Sequence, residues 1–265
     1  IYKTYIFIVW IEPMNMVLER IISVKKVETN PHYAGFFGVI ITLIAILVGY
    51  RVFEMNAGMA ALAFIVIGSL PFLRKLISIE ESEEATANNF KKAFARNQKI
   101  IKIFFYFFLG VSAVYLILSM IFPNLGELLF TEQHKVFSGS INYSLENTDL
   151  LPILKNNLSI IILSLVLSLL YGAGAVFIIS WNASVLGTFL AYKGIPAMFA
   201  YLPHASIEFV AFFMVAIAGS IISEAIEKKD YRGNRFRNIL RDAGLLVVLS
   251  AILIVVAAIV EIQVI

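Results

Sequence analysis

Between Asn156 and Ser223 the chain carries only two charged side chains, Lys193 and Glu208. A run this long and this poor in charge constrains the fold more than any other feature. A bilayer-crossing helix needs about 20 apolar residues, so the run predicts several crossings. Helices are the expected form, because in lipid each segment must satisfy its own backbone N–H and C=O groups. An ionisable residue inside such a run is costly and marks either a functional site or a structural lock. Glu208 is such a residue, and His204 stands four positions before it.

Composition extends this reading to the whole chain. Of 265 residues, 60% are hydrophobic and 15% charged, against about 25% charged in soluble domains. Cysteine is absent, which excludes disulfides, thiolate metal sites and a cysteine nucleophile. The net charge of +3 is small. The basic residues flank apolar spans, so they point to cytoplasmic loops and away from nucleic-acid binding. Three histidines, His32, His134 and His204, do not make a multi-histidine metal site. No cofactor is expected, and the identity of any metal is left open.

Uncharged runs predict an all-α polytopic bundle of six or seven spans with one short broken helix. The predicted spans are Pro31–Tyr50, Met55–Leu73, Ile103–Gly126 and Asn157–Ile179, then a short broken one over Ala183–Leu202, Ser206–Ile226 opening near Pro203, and Ala243–Val260. Ser180-Trp181-Asn182 reads as the break. Gly194 and Pro196 interrupt the short helix, as residues that end helices do. Residues 1–30 read as a cytoplasmic or interfacial segment. Its first run is too short to span and has no signal-peptide cleavage site, and Met16 is a candidate natural start. Residues 31–126 read as a three-helix membrane segment with a cytoplasmic helical excursion over 74–102. Residues 127–155 read as an extracytoplasmic loop, and 156–265 as a C-terminal membrane core.

Orientation follows Lys and Arg placement. Arg74, Lys75, Lys91, Lys92, Arg96, Lys99 and Lys102 form one basic segment. Lys228, Lys229, Arg232, Arg235, Arg237 and Arg241 form another. Both are expected in the cytoplasm, with the N-terminus, in a multi-pass protein of the cell membrane. The excursion also holds Glu80, Glu81, Glu83 and Glu84. These read either as a metal or partner site, or as solvated helical extensions of the spans, the commoner outcome for charge runs.

Several residues carry a family resemblance. They are Asn156-Asn157, Tyr171-Gly-Ala-Gly174, Trp181-Asn182, Gly187, and above all Leu202-Pro-His-Ala-Ser-Ile-Glu208 followed by Gly219. This block resembles the stage II sporulation protein M family of integral membrane proteins. Met16-Val-Leu-Glu19 with Lys25-Lys26 is similar to archaeal members. Ala205 stands where the family has a glycine after the histidine. The resemblance implies a helical membrane architecture. For the sporulation members it implies a membrane anchor for a cell-wall hydrolase complex.

The candidate polar intramembrane site is Asn156, Asn157, Asn182, His204 and Glu208. His204 and Glu208, four apart, share a helix face, with Pro203 placed at the helix start where its missing N–H is harmless. The pair reads either as a hydrogen-bonded lock or as a proton relay or cation site. Asn156 and Asn157 read either as an N-cap or as amide donors to Glu208. Asn182 reads as a turn residue. Ser168 with Gly172, Ala216 with Ser220 and Gly219 with Ser223 are small pairs at helical spacing that let helices approach closely, within the chain or between copies.

No His-Glu-x-x-His or Gly-x-Ser-x-Gly motif occurs, so an enzyme is not expected and an intramembrane hydrolase is a third option. The leading expectation is a scaffold or anchor in an envelope or membrane-remodelling complex. The alternative is a channel or secondary transporter for a cation, proton or small solute. The partners expected are the lipid bilayer, membrane or envelope proteins and further copies of the chain, with no nucleic acid.

Overall fold

A computed structural model describes residues 23–53, 57–84, 90–123, 126, 130–133, 150–169, 173–228 and 233–264. All the major elements among them are helices. They are α1 Val24–Thr29, α2 His32–Val52, α3 Ala57–Glu84, α4 Phe90–Ile121, α5 Leu150–Leu169, α6 Ala173–Lys193, α7 Ile195–Glu227 and α8 Asn234–Val264. The seven helices α2 to α8 are long and apolar enough to cross a membrane.

The sequence supplies the boundaries. Ser23 caps α1, its hydroxyl accepting from the Lys26 N–H at 3.3 Å, which satisfies one of the free donors of a first turn. Gly194 separates α6 from α7 at φ +80°, a conformation that glycine reaches without steric cost. Pro196 then lies in the first turn of α7, where a missing N–H costs nothing.

Helix α7 is the centre of the bundle, packing on α8, α5, α6, α3 and α4. From Ala211 to Ile221 every residue is buried, as expected of a helix that is apolar on all sides. Its neighbours approach closely because the contact residues are small. A Cβ at Gly219 would stand 2.6 Å from the Ser168 Cβ of α5, so only glycine fits. The small pairs around Ser168 and Gly219 therefore serve packing within the chain. Away from these contacts, phenylalanines fill the core. Phe37 meets Phe72 at 4.5 Å and Phe107 at 6.1 Å, and Phe108 meets Phe209 at 4.7 Å and Phe213 at 5.5 Å. Such ring pairs contribute roughly 0.5–1.5 kcal/mol each beyond their burial, and these join α2, α3, α4 and α7.

Two expectations are corrected. The fifth span is neither short nor broken: α6 runs unbroken from Ala173 to Lys193 through Ser180-Trp181-Asn182. Polar side chains there bond back onto their own helix, a pattern that Ser, Thr and Asn tolerate inside helices. The Asn182 Nδ2 donates to the Ile178 carbonyl at 2.8 Å, and the Ser184 hydroxyl to that of Trp181 at 2.7 Å. The division from α5 falls instead at residues 170–172, which lie outside the described residues, as does the Tyr171-Gly172 part of the family block. Second, Pro203 is inside α7, not at its start. The segment expected as an outside loop packs against the bundle where it is described. Phe130 and Gln133 are buried, with Phe130 on Tyr115 of α4 at 4.5 Å.

The excursion over 74–102 resolves into extensions of the spans, since α3 continues to Glu84 and α4 begins at Phe90. Residues 1–22 of the segment expected over 1–30, and residues 127–129 and 134–149 of the loop expected over 127–155, lie outside the described residues.

Candidate functional site

The polar site forms where α5, α7 and α8 meet. Asn157 lies inside α5 rather than at its cap, because the helix begins at Leu150. It is buried, and its Nδ2 donates to the Glu208 Oε1 of α7 at 2.6 Å. The Asn156 Nδ2 reaches the Asn157 Oδ1 at 3.4 Å, so the two amides form a short chain ending on the carboxyl. Glu261 of α8, in Coulombic reach of Glu208, brings a second carboxyl to the same junction. Glu261 follows the uncharged run Ala243–Val260, which spans about 27 Å as a helix. That is close to the ~30 Å hydrocarbon thickness, so the junction lies near one membrane boundary.

The remaining predicted residues separate. His204 is buried one turn before Glu208, its ring 5.8 Å from that of Tyr201. No hydrogen bond joins it to Glu208 among the described residues, and its Nδ1 has no hydrogen-bond partner there. Asn182 is spent on its own helix. The structure thus brings Asn156, Asn157 and Glu208 together and leaves His204 beside them and Asn182 apart. Among the described residues no group of three or more His, Cys, Asp or Glu could hold a metal ion.

Two features escape sequence reasoning. One is Glu261, whose signal was its place at the end of an uncharged run. The other is an ion-pair network at the opposite end of the bundle. Arg74 of α3 pairs with Glu224 at 3.3 Å and with Glu227, both on α7. Lys228, just past α7, pairs with Glu224 at 3.5 Å and donates to the Ser78 hydroxyl of α3 at 2.8 Å. Nearby charge runs gave no hint of which partners would meet.

Past the Asn157–Glu208 contact the central helix turns apolar. In the buried stretch Ala211–Ile221, Ser220 is the one polar side chain, and its hydroxyl donates to the Ala216 carbonyl at 2.8 Å. The arrangement can bind helices to one another and hold charge near one boundary.

Seven apolar helices, one of them central and buried over Ala211–Ile221, define a polytopic α-helical membrane protein. The chain belongs to the stage II sporulation protein M family, whose model matches residues 103–264. That match covers α5 to α8 in full, the helices that build the polar junction, together with most of α4. No curated protein and no solved structure matches the chain.

Proposed function

We propose that this protein is a non-enzymatic membrane scaffold, an anchor for other proteins of an envelope or membrane-remodelling complex. The observation that carries the reading is the sealed stretch Ala211–Ile221 beneath Glu208. A transport path needs polar groups or water along its length, and on the central helix no polar side chain lies between Glu208 and Ser220. That contact, with the Arg74–Glu224 pair at the other end, suits a part that holds a fixed shape. Membership of the family is compatible with an anchoring role.

A second reading is a channel or secondary transporter for a proton, cation or small solute. It draws on two carboxyls, Glu208 and Glu261, at one junction. Glu208→Gln separates the two. An amide keeps hydrogen bonding but cannot carry charge or exchange a proton. For a scaffold, the purified variant keeps its fold, and proteoliposomes show no ion or proton flux above lipid alone before or after the change. Flux in the unaltered protein that Glu208→Gln abolishes in a well-folded variant would overturn the scaffold.

In this reading the N-terminus and the basic segments lie in the cytoplasm of a multi-pass cell-membrane protein. The basic ends of α3, α4, α7 and α8 support this.

A further inference from the structure

The chain turns back into the bundle after α4. Helical hydrogen bonds continue past Ile121, from the Gly126 N–H to the Phe122 carbonyl at 2.8 Å and from the Phe130 N–H to that of Gly126 at 2.9 Å. The segment then runs back along α4. A Cβ at Gly126 would lie 3.1 Å from the Ser119 Cα, and Phe130 stacks on Tyr115. The Gln133 Nε2 donates to the Ser184 hydroxyl of α6 at 3.2 Å. Ser184 adjoins Ala183, whose carbonyl accepts from the Ser112 hydroxyl of α4 at 2.7 Å. Ser112 is nine residues before the end of α4, so Gln133 lies roughly 14 Å in along that helix.

Polar atoms without partners gather at this junction. Gln133 is 1% exposed and its Oε1 has no hydrogen-bond partner, and Tyr115 is 0% exposed with its hydroxyl in the same condition. Ser119, one turn after Tyr115 on α4, and Ser180, one turn before Ser184 on α6, also hold unpartnered hydroxyls. Thr42, Ser168 and Ser250 are likewise unpartnered elsewhere, but serine and threonine in a helix can turn onto the carbonyl four residues back. Gln133 and Tyr115 have no such escape. An amide oxygen only accepts, and a tyrosine hydroxyl stands too far from its own backbone. A buried polar group left unpaired costs about 1–3 kcal/mol, and buried water is the usual remedy where two to four polar partners converge.

We propose that the junction of α4, α6 and the re-entrant segment is a binding site for ordered water, bridging the Tyr115 hydroxyl and the Gln133 Oε1 with help from the neighbouring serines. The water gives the amide oxygen a donor and the phenol a partner, and so lets a polar side chain sit deep in an apolar bundle.

The test is a mutant cycle in the full-length protein, read as thermal unfolding in detergent. Tyr115→Phe removes only the hydroxyl, and Gln133→Met keeps the volume and removes the amide. If both groups share water, Tyr115→Phe lowers Tm by roughly 2–4 °C, the shift expected for about 1 kcal/mol in a chain near this size. The double variant then loses clearly less than the sum of the single losses, because one bridge cannot be lost twice. If the junction is dry, Tyr115→Phe leaves Tm unchanged or raises it, since an orphan hydroxyl has been deleted, and the proposal is overturned. Strictly additive losses also overturn it, because they mean separate environments. Should Gln133→Met fail to fold, Tyr115→Phe alone decides: a lowered Tm supports the bridge, and an unchanged or raised Tm overturns it.

Discussion

A carboxyl near the membrane boundary must be paired or sit in water, and here the structure pairs it. The Asn157 Nδ2 to Glu208 Oε1 bond at 2.6 Å joins α5 to the central helix through one part-buried contact. Asn157→Leu removes the donor while keeping the volume. A buried acceptor left without its donor costs about 1–3 kcal/mol, and Glu208 is half-buried, so thermal unfolding should show a loss toward the lower end of that range. Glu208→Gln should cost less, because the amide oxygen still accepts from Asn157. If Asn157→Leu proved as stable as the unaltered protein, the contact would be incidental to the fold. Glu208→Ala strands Asn157 and opens a cavity, and should be the worst of the three. The sequence reading that Glu208 needs a polar partner stands, but the donor comes from another helix. Spacing four apart places His204 and Glu208 on one face without bonding them, while of the two readings of Asn157, cap or amide donor to Glu208, the contact seen is the second.

At the scale of the helix, small residues decide where the elements meet. Gly219 abuts Ser168 with no room for a Cβ. Gly219→Val would force α7 away from α5 and should destabilise by roughly 1–3 kcal/mol or more, the cost of overpacking a tight core. Ser168→Gly in the same chain should recover part of that loss by making space, whereas recovery by a distant small substitution would show that the strain lies elsewhere. The ends of α3 and α7 give a second test. Arg74→Gln removes the partner of Glu224 and Glu227. Its effect should shrink as salt rises, because partly exposed pairs are screened. Spans were legible here because uncharged runs of about 20 residues have one common solution in lipid. Breaks were not. Ser180-Trp181-Asn182 looks like a turn in composition, yet Asn182 bonds back onto the Ile178 carbonyl and the helix runs on through it. Pro203 looks like a start, yet α7 begins at Ile195 and carries it inside. The re-entrant run was hidden for a related reason. Its burial rests on contacts with Tyr115 and Ser184, far off in the sequence, while its local composition is that of a loop.

Seven spans and their charges fix one arrangement of the whole molecule up to a flip across the membrane. The contacts tie the basic termini together at one end: Arg74 and Lys228 join α3 to α7, and Lys99 pairs with Glu28 at 2.9 Å. With an odd number of crossings, the chain beyond α8 lies on the side opposite α1. Basic loops are retained in the cytoplasm, so Arg237 should face inward and Lys155, at the start of α5, outward. Both side chains are exposed. The chain holds no cysteine, so single cysteines at these positions report without background. In intact cells a membrane-impermeant thiol reagent should label Lys155→Cys, and should label Arg237→Cys only after the membrane is opened. The reverse pattern would invert the molecule and place the Asn157–Glu208 junction on the cytoplasmic side. Labelling of both positions in intact cells would be more damaging. Lys155 and Arg237 stand at opposite ends of the bundle, so it would mean that the helices between them do not make an odd number of crossings.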